Sequence, residues 1–422
     1  MKKFAIHTLG CKTNQLESAT INDILSENGY KSVEFSDFAD FYIINTCSVT
    51  AKSDSESMYY IRKARKTNSS AKIIVTGCFA QLNPEDIEAD IIIGNAQKLD
   101  ILEYIKTNTS LVSDIMQESV FKDKKVASSE SKTRANIKIQ DGCNNRCAYC
   151  IIPYARGKSR SNSLENIIEQ IKIYTEAGYK ELVLTGIHIG QWGFDLDTGM
   201  TFVDLLKQIE EIDSLERYRL GSMDPTELND EFIDFMASSK KLAHHIHISL
   251  QNANDQILKL MNRHYTVEQV KSVMKKLKSV IPDISLGCDV IVGFPTETDE
   301  QFDVCYDNIT EMPFSYMHVF PYSIRPGTPA ALMEQVQDSV KTNRAKRLRS
   351  LAALKKNQFV ESFLGKELEV LIENQRNKDG WLKGVTSNYL HVLVDGGDDS
   401  MQNQIFKAKA VESVDGVLVV KV

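Results

Sequence analysis

The chain has 422 residues, with 50 lysines and arginines against 57 aspartates and glutamates, which gives a formal net charge of −7. Its 42% hydrophobic and 25% charged residues exclude a disordered or collagen-like chain, and at roughly 150 residues per domain the length suggests about three domains. Because the chain is mildly acidic, a nucleic-acid partner would depend on local basic patches.

The opening stretch, MKKFAIHTLGCKTNQ, has two lysines but only a short apolar run and no small-residue cleavage site. We interpret it as a strand rather than a signal peptide. No apolar run approaches the ~20 residues that span a bilayer. The 8 cysteines are too sparse for a disulfide scaffold, so in a reducing compartment their spacing points to metal or catalytic use. We expect a cytoplasmic protein without a membrane partner.

Residues 1–115 alternate short apolar runs with helical stretches. The runs FAIHTL, FYIIN and KIIVT are followed two residues later by Cys11, Cys47 and Cys78, and a fourth run precedes Gly94. This alternation predicts βαβ units and a parallel sheet, and the cysteines recur at about the 30-residue length of such a unit. All three would then lie at the carboxyl ends of strands, where open α/β sheets place their sites.

Residues 116–134 lose apolar periodicity and become rich in serine and lysine, which predicts a linker. Over residues 135–357 the alternation resumes, with β-rich segments ANIKIQDG, ELVLTGIH, YRLGSM, HHIHISLQN, SLGCDVIVGFP and YMHVFPYS. These units predict a partial (β/α)6 barrel whose site lies at the carboxyl ends of its strands.

Residues 341–356, KTNRAKRLRSLAALKK, predict a basic helix, and residues 360–422 change to short strands separated by turn residues. Such a pattern fits a small, OB-like β-barrel. The expected fold class is therefore α/β, with an N-terminal parallel sheet domain, a central partial barrel and a small C-terminal β-barrel.

The strongest chemical signal is Cys143-Asn-Asn-Arg-Cys147-Ala-Tyr-Cys150. Three thiolates in one loop after a strand can bind three irons of a [4Fe–4S] cluster and leave the fourth iron open to a small molecule. One alternative is zinc, which normally takes four closed ligands, although no fourth cysteine or histidine lies nearby in sequence. Three unrelated core cysteines are the other alternative.

This motif, with an aromatic residue before its last cysteine and a place after the first barrel strand, resembles the radical S-adenosylmethionine superfamily. The resemblance implies that S-adenosylmethionine chelates the open iron through its amino and carboxylate groups. One electron, from a reducing donor such as flavodoxin or ferredoxin, would split the sulfonium to a 5′-deoxyadenosyl radical. The cofactors then perform the difficult chemistry, and the protein positions them.

The N-terminal cysteines indicate which family within the superfamily the chain resembles. They are Cys11, Cys47 and Cys78. Single buried cysteines are common as small apolar residues. Here, however, three cysteines follow successive strands, which is again one ligand short of a closed tetrahedral metal site. Together with the radical motif and the terminal barrel, they resemble the methylthiotransferases over essentially the whole chain. The resemblance implies a second [4Fe–4S] cluster, held by these cysteines, that carries the sulfur. It also implies a TRAM-type C-terminal barrel that binds RNA.

Within this family, GCKTNQLES, NTCSVTAKSD and VTGCFAQ look most like the MtaB branch. That branch adds a methylthio group to C2 of N6-threonylcarbamoyladenosine, beside the anticodon of certain tRNAs, and the chemistry requires no conventional general base. The alternatives are the branch acting on isopentenyladenosine (typically GCQMN and NTCxVR) and the branch acting on a ribosomal-protein aspartate (typically NTCGF). A non-enzymatic RNA-binding protein whose cysteines hold zinc is a third.

The resemblance also implies contacts for S-adenosylmethionine at strand ends. Tyr149 resembles the aromatic residue whose backbone meets the adenine. Thr185 and Gly186 end the second strand, where the superfamily approaches the methionyl amine, although the frequent Gly-Gly-Glu is absent here. Ser249 and Gln251 would bond the ribose or the carboxylate, or else cap a turn.

Two further residues are assigned to the same ligand. The segment 287–295, GCDVIVGFP, contains Gly293 and would pack closely against the adenine, since glycine lets a backbone approach a ligand. Arg219 would pair with the methionine carboxylate or, alternatively, form a surface ion pair.

The remaining histidines and cysteines are not assigned to metal. On a strand, His245 and His247 share a face while His244 points away, and no thiolate or carboxylate pattern completes a site. Cys288 and Cys305 lack partners at ligand spacing, so we expect them in the core.

Two basic patches are candidates for tRNA phosphate contact, although either would equally suit a solvated helix face. One comprises Arg62, Lys63, Arg65 and Lys66, and the other is the helix at 341–356. Such contacts would position the anticodon arm, and the adenosine 3′ of the anticodon would be extruded into the barrel mouth.

Overall fold

The structure, a computed structural model, describes residues 1–125 and 133–422. Three units follow one another along the chain: a parallel sheet with helices, an open β/α barrel and a closed β-barrel. The expected fold class is confirmed. Part of the predicted linker, 116–134, lies outside the described residues; the rest holds the end of a 3-10 turn, Ile115–Gln117, and the start of a strand at Arg134. The predicted domain limits stay predictions.

The N-terminal unit is a parallel sheet covered on both faces. Its strands are β1 (Lys3–Thr8), β2 (Lys31–Ser32), β3 (Phe41–Thr46), β4 (Lys72–Gly77) and β5 (Ile91–Ile92). Its helices are α1 (Lys12–Glu27), α2 (Ala51–Thr67), α3 (Cys78–Leu82) and α4 (Ile101–Thr107). The strand order is β2-β1-β3-β4-β5, and every residue of β3 is buried. A strand with apolar side chains on both faces requires such helical cover.

The central unit is an open parallel barrel. Its strands are β6 (Arg134–Lys138), β7 (Gln140–Asp141), β8 (Arg160–Ser161), β9 (Glu181–Thr185), β10 (Arg217–Leu220), β11 (Ser222–Met223), β12 (His245–Gln251), β13 (Ser285–Val292) and β14 (Tyr316–Pro321). The parallel sheets β10-β9-β6 and β11-β12-β13-β14 adjoin where β10 gives way to β11 after a single residue. The predicted partial barrel is therefore observed, with the short pair β7 and β8 beside it.

Helices surround this barrel. They are α5 (Ile152–Arg156), α6 (Leu164–Glu176), α7 (Phe202–Glu210), α8 (Asp230–Ser238), α9 (Asp255–Leu260), α10 (Val267–Val280), α11 (Asp299–Glu311) and α12 (Asp338–Glu361). Three of them begin at threonines that form capping boxes, namely Thr201, Thr266 and Thr298, which satisfy amide donors at the helix start. In the part of the chain that the structure describes, no helix has an apolar stretch long enough to cross a membrane.

The C-terminal unit is a closed barrel, as predicted. Its strands are β15 (Glu367–Arg376), β16 (Leu382–Thr386), β17 (His391–Asp395), β18 (Ile405–Val414) and β19 (Val417–Lys421), in the closed order β15-β16-β17-β19-β18. Alternating aliphatic side chains such as Val370, Ile372, Val392 and Val394 fill its interior. Closure leaves no free strand edge within the barrel.

A buried ion network joins this barrel to the central unit. The carboxylate of Glu181, which is fully buried, pairs with Arg217 and with Arg219 Nε at 2.6 Å. The two arginines also donate to backbone carbonyls of the C-terminal barrel: Arg217 Nη2 to Val385 at 3.2 Å and Arg219 Nη1 to Ser387 at 2.7 Å. The C-terminal barrel is thus docked by charged groups removed from water.

We expect Glu181→Gln to destabilise the protein by about 3–5 kcal/mol, because it leaves buried arginines without their counter-charge. Although burial raises it, Arg219 and Arg217 lower the pKa of Glu181 from 4.5 to about 2. A carboxyl with a lowered folded-state pKa stabilises the fold above its ordinary pKa. In urea unfolding, the difference between wild type and variant should be full at pH 7 and decline as the pH falls from about 4.5 toward about 2.

The matched control is Glu216→Gln, which removes an exposed partner of Lys180 and should cost less than about 1 kcal/mol. A difference for Glu181→Gln that stayed constant down to pH 3 would contradict the assigned ionisation.

Candidate active site

A cavity of about 1180 Å³ lies where the three units meet. It opens at the carboxyl ends of strands from both the N-terminal sheet and the central barrel. All six cysteines predicted as cluster ligands line it, namely Cys11, Cys47, Cys78, Cys143, Cys147 and Cys150. All are free thiols. The structure therefore brings together two triads that are far apart in sequence.

The N-terminal triad lies at three neighbouring strand ends. Cys11 is the N-cap of α1, Cys47 follows β3 and Cys78 begins α3. Asn14 fastens two of these ends, since its Nδ2 donates to the carbonyls of Leu9 at 2.8 Å and Thr46 at 2.9 Å. Burial raises the pKa of the Cys47 and Cys78 thiols. A bound cation is what would hold such groups as thiolates.

Gly10 is required by the packing of this triad. An ideal Cβ on Gly10 would lie 2.6 Å from Cys47 Sγ, and the backbone φ is +91°. If the triad holds a cluster, we expect Gly10→Ala to lower the iron from about eight to about four per chain after anaerobic reconstitution.

Gly29→Ala provides the matched control for this substitution. Gly29 also has a positive φ, +82°, but nothing lies within 4 Å of its ideal Cβ. It therefore shares the backbone penalty of a side chain at positive φ without the contact with the thiol. Equal iron loss in both variants would show that Gly10 acts through general stability.

The second triad occupies a loop between β7 and α5. The loop is fixed to the barrel by the Ala148 amide, which donates to Met261 O at 2.9 Å, and by the Cys143 amide, which donates to Gly157 O at 3.1 Å. Arg263 Nη1 donates to Cys147 Sγ at 3.4 Å. Burial raises the pKa of Cys150 to about 12. Three thiols held this way suit a site-differentiated cluster, with one metal corner left for a ligand.

Five of the residues assigned to S-adenosylmethionine line the same cavity: Tyr149, Thr185, Gly186, Ser249 and Gln251. Gln251 has a positive φ of +63° at an irregularity of β12, which turns the chain at the cavity edge. An ideal Cβ on Gly186 would lie 2.8 Å from Gln140 O, so this position has no room for a side chain. Their location is compatible with the assigned role, which stays a prediction.

The assignment of Arg219 needs correction, whereas that of Gly293 stays a prediction. Arg219 is 2% exposed and directs its guanidinium to Glu181 and the C-terminal barrel. An ideal Cβ on Gly293 would lie 2.4 Å from Lys341 Cγ, so this glycine makes room for α12. Neither lines the cavity. Gly287 likewise leaves room for another part of the protein, because its ideal Cβ would overlap the ring of Tyr316.

One wall of the cavity is a hydrogen-bonded cluster of rings. The Tyr316 hydroxyl contacts His245 Nε2 at 2.8 Å and His247 Nδ1 at 3.0 Å. Asp289 Oδ1 lies 3.1 Å from His247 Nε2 and 3.2 Å from His318 Nδ1. These ligand atoms lie close enough to share a cation, but the same atoms already pair with one another. His244 points away, toward Asp283, as its strand position predicts.

Several residues that matter here gave no signal in the sequence. Glu17, on α1, pairs with Arg156 Nη1 at 2.8 Å and with Lys98 at 2.5 Å, beside both triads. Glu227 Oε1 lies 2.5 Å from His188 Nε2, and the other ring nitrogen faces Cys143 Sγ at 3.7 Å. Only a three-dimensional structure reveals such pairs, because their members lie far apart in the chain.

Lys12 and Lys356 are the cavity-lining lysines. Both side chains are solvent-accessible. Neither has an ion-pair partner among residues 1–125 and 133–422. Burial within the protein, and then Arg134 and Arg219, lower the pKa of Lys12 to about 8. This end of the cavity is therefore rich in cations.

Some of the basic side chains in the two patches form ion pairs within the protein. On α12, buried Arg344 pairs with Glu297 at 2.8 Å and Asp299 at 2.7 Å, and Arg347 pairs with Asp303. These cations anchor the helix to the barrel. In the first patch, Arg65 pairs with Asp90 at 2.7 Å, whereas Arg62, Lys63 and Lys66 stay exposed. Phosphate contact stays a prediction for the free members.

Comparison with known families agrees with this geometry. Residues 137–309 match the family model described as Radical SAM superfamily, and residues 3–94 match that described as Uncharacterized protein family UPF0004. The radical S-adenosylmethionine methyltransferase TsrM from Kitasatospora setae, solved with tryptophan and a SAM analogue, has a TM-score of 0.59 at 13% identity, covering 89% of this chain and 79% of that one. Fold and cysteine loop thus define a radical S-adenosylmethionine protein.

Sequence relatives are more specific. "Threonylcarbamoyladenosine tRNA methylthiotransferase MtaB" of Bacillus subtilis is 39% identical over 98% of this chain and 94% of its own length. "tRNA-2-methylthio-N(6)-dimethylallyladenosine synthase" of Clostridium botulinum strain Loch Maree is 36% identical over 94% and 92%. The chain belongs to the radical S-adenosylmethionine methylthiotransferase family. Membership implies S-adenosylmethionine and a [4Fe–4S] cluster as cofactors.

Proposed function

We propose that this protein adds a methylthio group to C2 of N6-threonylcarbamoyladenosine, the adenosine 3′ of the anticodon in certain tRNAs. The observation that carries this proposal is the cavity lined by both cysteine triads. Sulfur insertion requires the sulfur donor and the radical source to meet at one substrate atom, and a shared cavity provides that meeting place. Relatives named for this reaction are 37–39% identical to the chain, against 35–36% for those named for dimethylallyladenosine.

The donor sets fit two clusters. We assign the family's [4Fe–4S] cluster to Cys143, Cys147 and Cys150, and a second to Cys11, Cys47 and Cys78. Each triad offers three free thiols to the cavity, one short of a closed tetrahedral site. When bound, the clusters and S-adenosylmethionine supply the radical and the transferable sulfur.

The chain's own residues bind and orient S-adenosylmethionine and the substrate. Tyr149, Thr185, Gly186, Ser249 and Gln251 line the cavity where S-adenosylmethionine is assigned. Arg263 steadies this region, because its Nη2 donates to Ser249 O at 3.0 Å and pairs with Asp224 at 2.5 Å. The docked C-terminal barrel contributes Tyr389 and His391 to the cavity wall.

The proposed partners are a tRNA and a reducing protein. The anticodon arm would contact exposed basic residues, with Lys356 at the cavity and Arg62, Lys63 and Lys66 on α2. Phosphate contacts of this kind position an RNA without reading its sequence. The target adenosine would be extruded into the cavity. A reducing protein such as flavodoxin or ferredoxin supplies electrons, and the activity is cytoplasmic.

The test is mass spectrometry of bulk tRNA nucleosides from a deletion strain. We expect the 2-methylthio form of N6-threonylcarbamoyladenosine to vanish, its unthiolated precursor to accumulate, and the wild-type gene to restore the product. Loss of 2-methylthio-isopentenyladenosine instead would assign the protein to the other tRNA branch. An unchanged tRNA profile with loss of a methylthiolated ribosomal-protein aspartate would assign it to the third. A colourless protein that holds zinc after anaerobic purification would exclude the enzyme.

A further inference from the structure

Lys12 stands at the boundary between the N-terminal triad and the wall of rings. It directly follows Cys11 at the start of α1, and its side chain enters the cavity. Arg134, Arg219 and Glu181 lie within electrostatic range of its ammonium. Lys12 in turn contributes to the positive field around His245, on β12. Lys12 lines the same cavity as His245 on the central barrel and Tyr389 on the C-terminal barrel.

The acids near Lys12 are already engaged. Glu181 is fully buried and is shared by Arg217 and Arg219, with Arg134 Nη1 at 3.9 Å. Glu373 pairs with Arg134 at 2.9 Å. In the described ranges, 1–125 and 133–422, no carboxylate lies within ion-pair distance of Lys12. An unpaired cation in the wall of a cavity attracts an anion.

The adjacent wall suits a planar ligand. The His245 ring lies 4.3 Å from that of Tyr389 and 5.9 Å from that of Tyr316, the latter pair stacked. Arg219 lies over Tyr389 at 5.2 Å. His245 is buried between these rings, whereas Tyr316 and Tyr389 are half-buried and keep some accessible surface. Aromatic rings with accessible faces stack nucleobases. The cavity therefore combines a surface for a base with Lys12, which has no ion-pair partner among the described residues.

The substrate under the proposed function carries a matching group. In a threonylcarbamoyl substituent, threonine is joined through its amino nitrogen, so its carboxyl stays free and is ionised at neutral pH. A dimethylallyl substituent is an uncharged hydrocarbon. The cation of Lys12 thus corresponds to the one charged group of the modified base.

We propose that Lys12 binds the carboxylate of the threonylcarbamoyl group and thereby selects this modified adenosine as the substrate. This inference rests on the proposed function. Lys12 is a substrate-binding residue in this assignment, and it takes no part in the chemistry at C2.

The test compares reconstituted wild type with Lys12→Gln on two synthetic anticodon stem-loops. One carries N6-threonylcarbamoyladenosine, and the other carries its threonine methyl ester, which lacks the charge. Wild type should lose about 10- to 100-fold in kcat/KM with the ester, the usual range for a charge-assisted contact. Lys12→Gln should lose as much with the acid and then show no preference between the two. Lys12→Arg should restore the preference in part.

Lys356→Gln is the matched control, because it removes the other cavity lysine. We expect it to weaken acid and ester alike, as a phosphate contact would. Iron content and 5′-deoxyadenosine formation are measured for each variant, since Lys12 adjoins Cys11. Retained iron in Lys12→Gln supports the assignment, and loss of iron would move Lys12 to the cluster and overturn it.

Two further outcomes also overturn the inference: equal wild-type rates with acid and ester, or an acid preference that persists in Lys12→Gln. Failure of the proposed function looks different, because wild type would then methylthiolate neither stem-loop.

Discussion

Replacing Cys11, Cys47 and Cys78 together by alanine is expected to abolish methylthiolation while leaving 5′-deoxyadenosine formation in place. The three thiols line the cavity from the N-terminal sheet, and the radical loop is built separately on the central barrel. Iron should fall from about eight to about four per chain, with labile sulfide in parallel. The measurement is metal and sulfide analysis after anaerobic reconstitution, with both products followed by mass spectrometry.

The reciprocal variant, Cys143, Cys147 and Cys150 to alanine, should also fall to about four iron but lose both products. The chain offers internal controls in Cys288 and Cys305, which are buried in the barrel core and lie outside the cavity lining. Their alanine variants should keep about eight iron. About four iron in wild type, falling to none in the radical-loop variant, would make the N-terminal cysteines structural.

Glu17→Gln is expected to lower the free energy of unfolding by about 3–5 kcal/mol and to reduce product formation sharply. Glu17 is buried, and its carboxylate forms ion pairs with three cations. These are Arg156, Lys98 and Lys138, the last at 3.4 Å. Removing its charge leaves Lys138 and Arg156 with Asp141 and takes from buried Lys98 the carboxylate with which it pairs. An uncompensated buried charge is strongly destabilising. Arg156 Nη2 also donates to Asn14 Oδ1 at 2.6 Å, so the loss reaches the N-terminal triad.

Anaerobic denaturant unfolding of the reconstituted protein measures this effect. The control is Glu56→Gln, which removes an exposed partner of Lys52 on α2 and should cost less than about 1 kcal/mol. Similar losses for the two variants would show that the Glu17 cluster contributes no more than a surface pair.

The elements and the two triads could be predicted because their signals are local. Apolar runs near 30 residues apart indicate parallel strands, and a cysteine just after each run must lie at the strand's carboxyl end. The motif from Cys143 to Cys150 lies within one loop. These predictions needed only the period of the pattern and the geometry of a parallel sheet.

Sequence reasoning did not find the contacts of residues whose partners lie far away along the chain. Arg219 sits on a barrel strand, as expected, but its partners include a carbonyl 168 residues further along the chain. Gly293 ends a strand beside the barrel mouth, yet it accommodates Lys341 of α12. The docking of the units decides which face of a strand contacts a later part of the chain. The periodicity of apolar residues does not contain this information. Lys12 belongs to the GCKTNQLES stretch that distinguishes the branches, but the sequence alone does not show that it lines the cavity.

The docked C-terminal barrel limits how far this protein is modular. The segment 385–388 accepts hydrogen bonds from Arg217 and Arg219 and donates one from Asn388 to Asp283 O at 3.1 Å. The residues that follow it, 389–391, line the cavity. One short loop therefore serves both the docking of the C-terminal barrel and the wall of the cavity. A chimera that takes its third unit from a relative must keep this loop, or it loses the docking contacts and part of the cavity wall together.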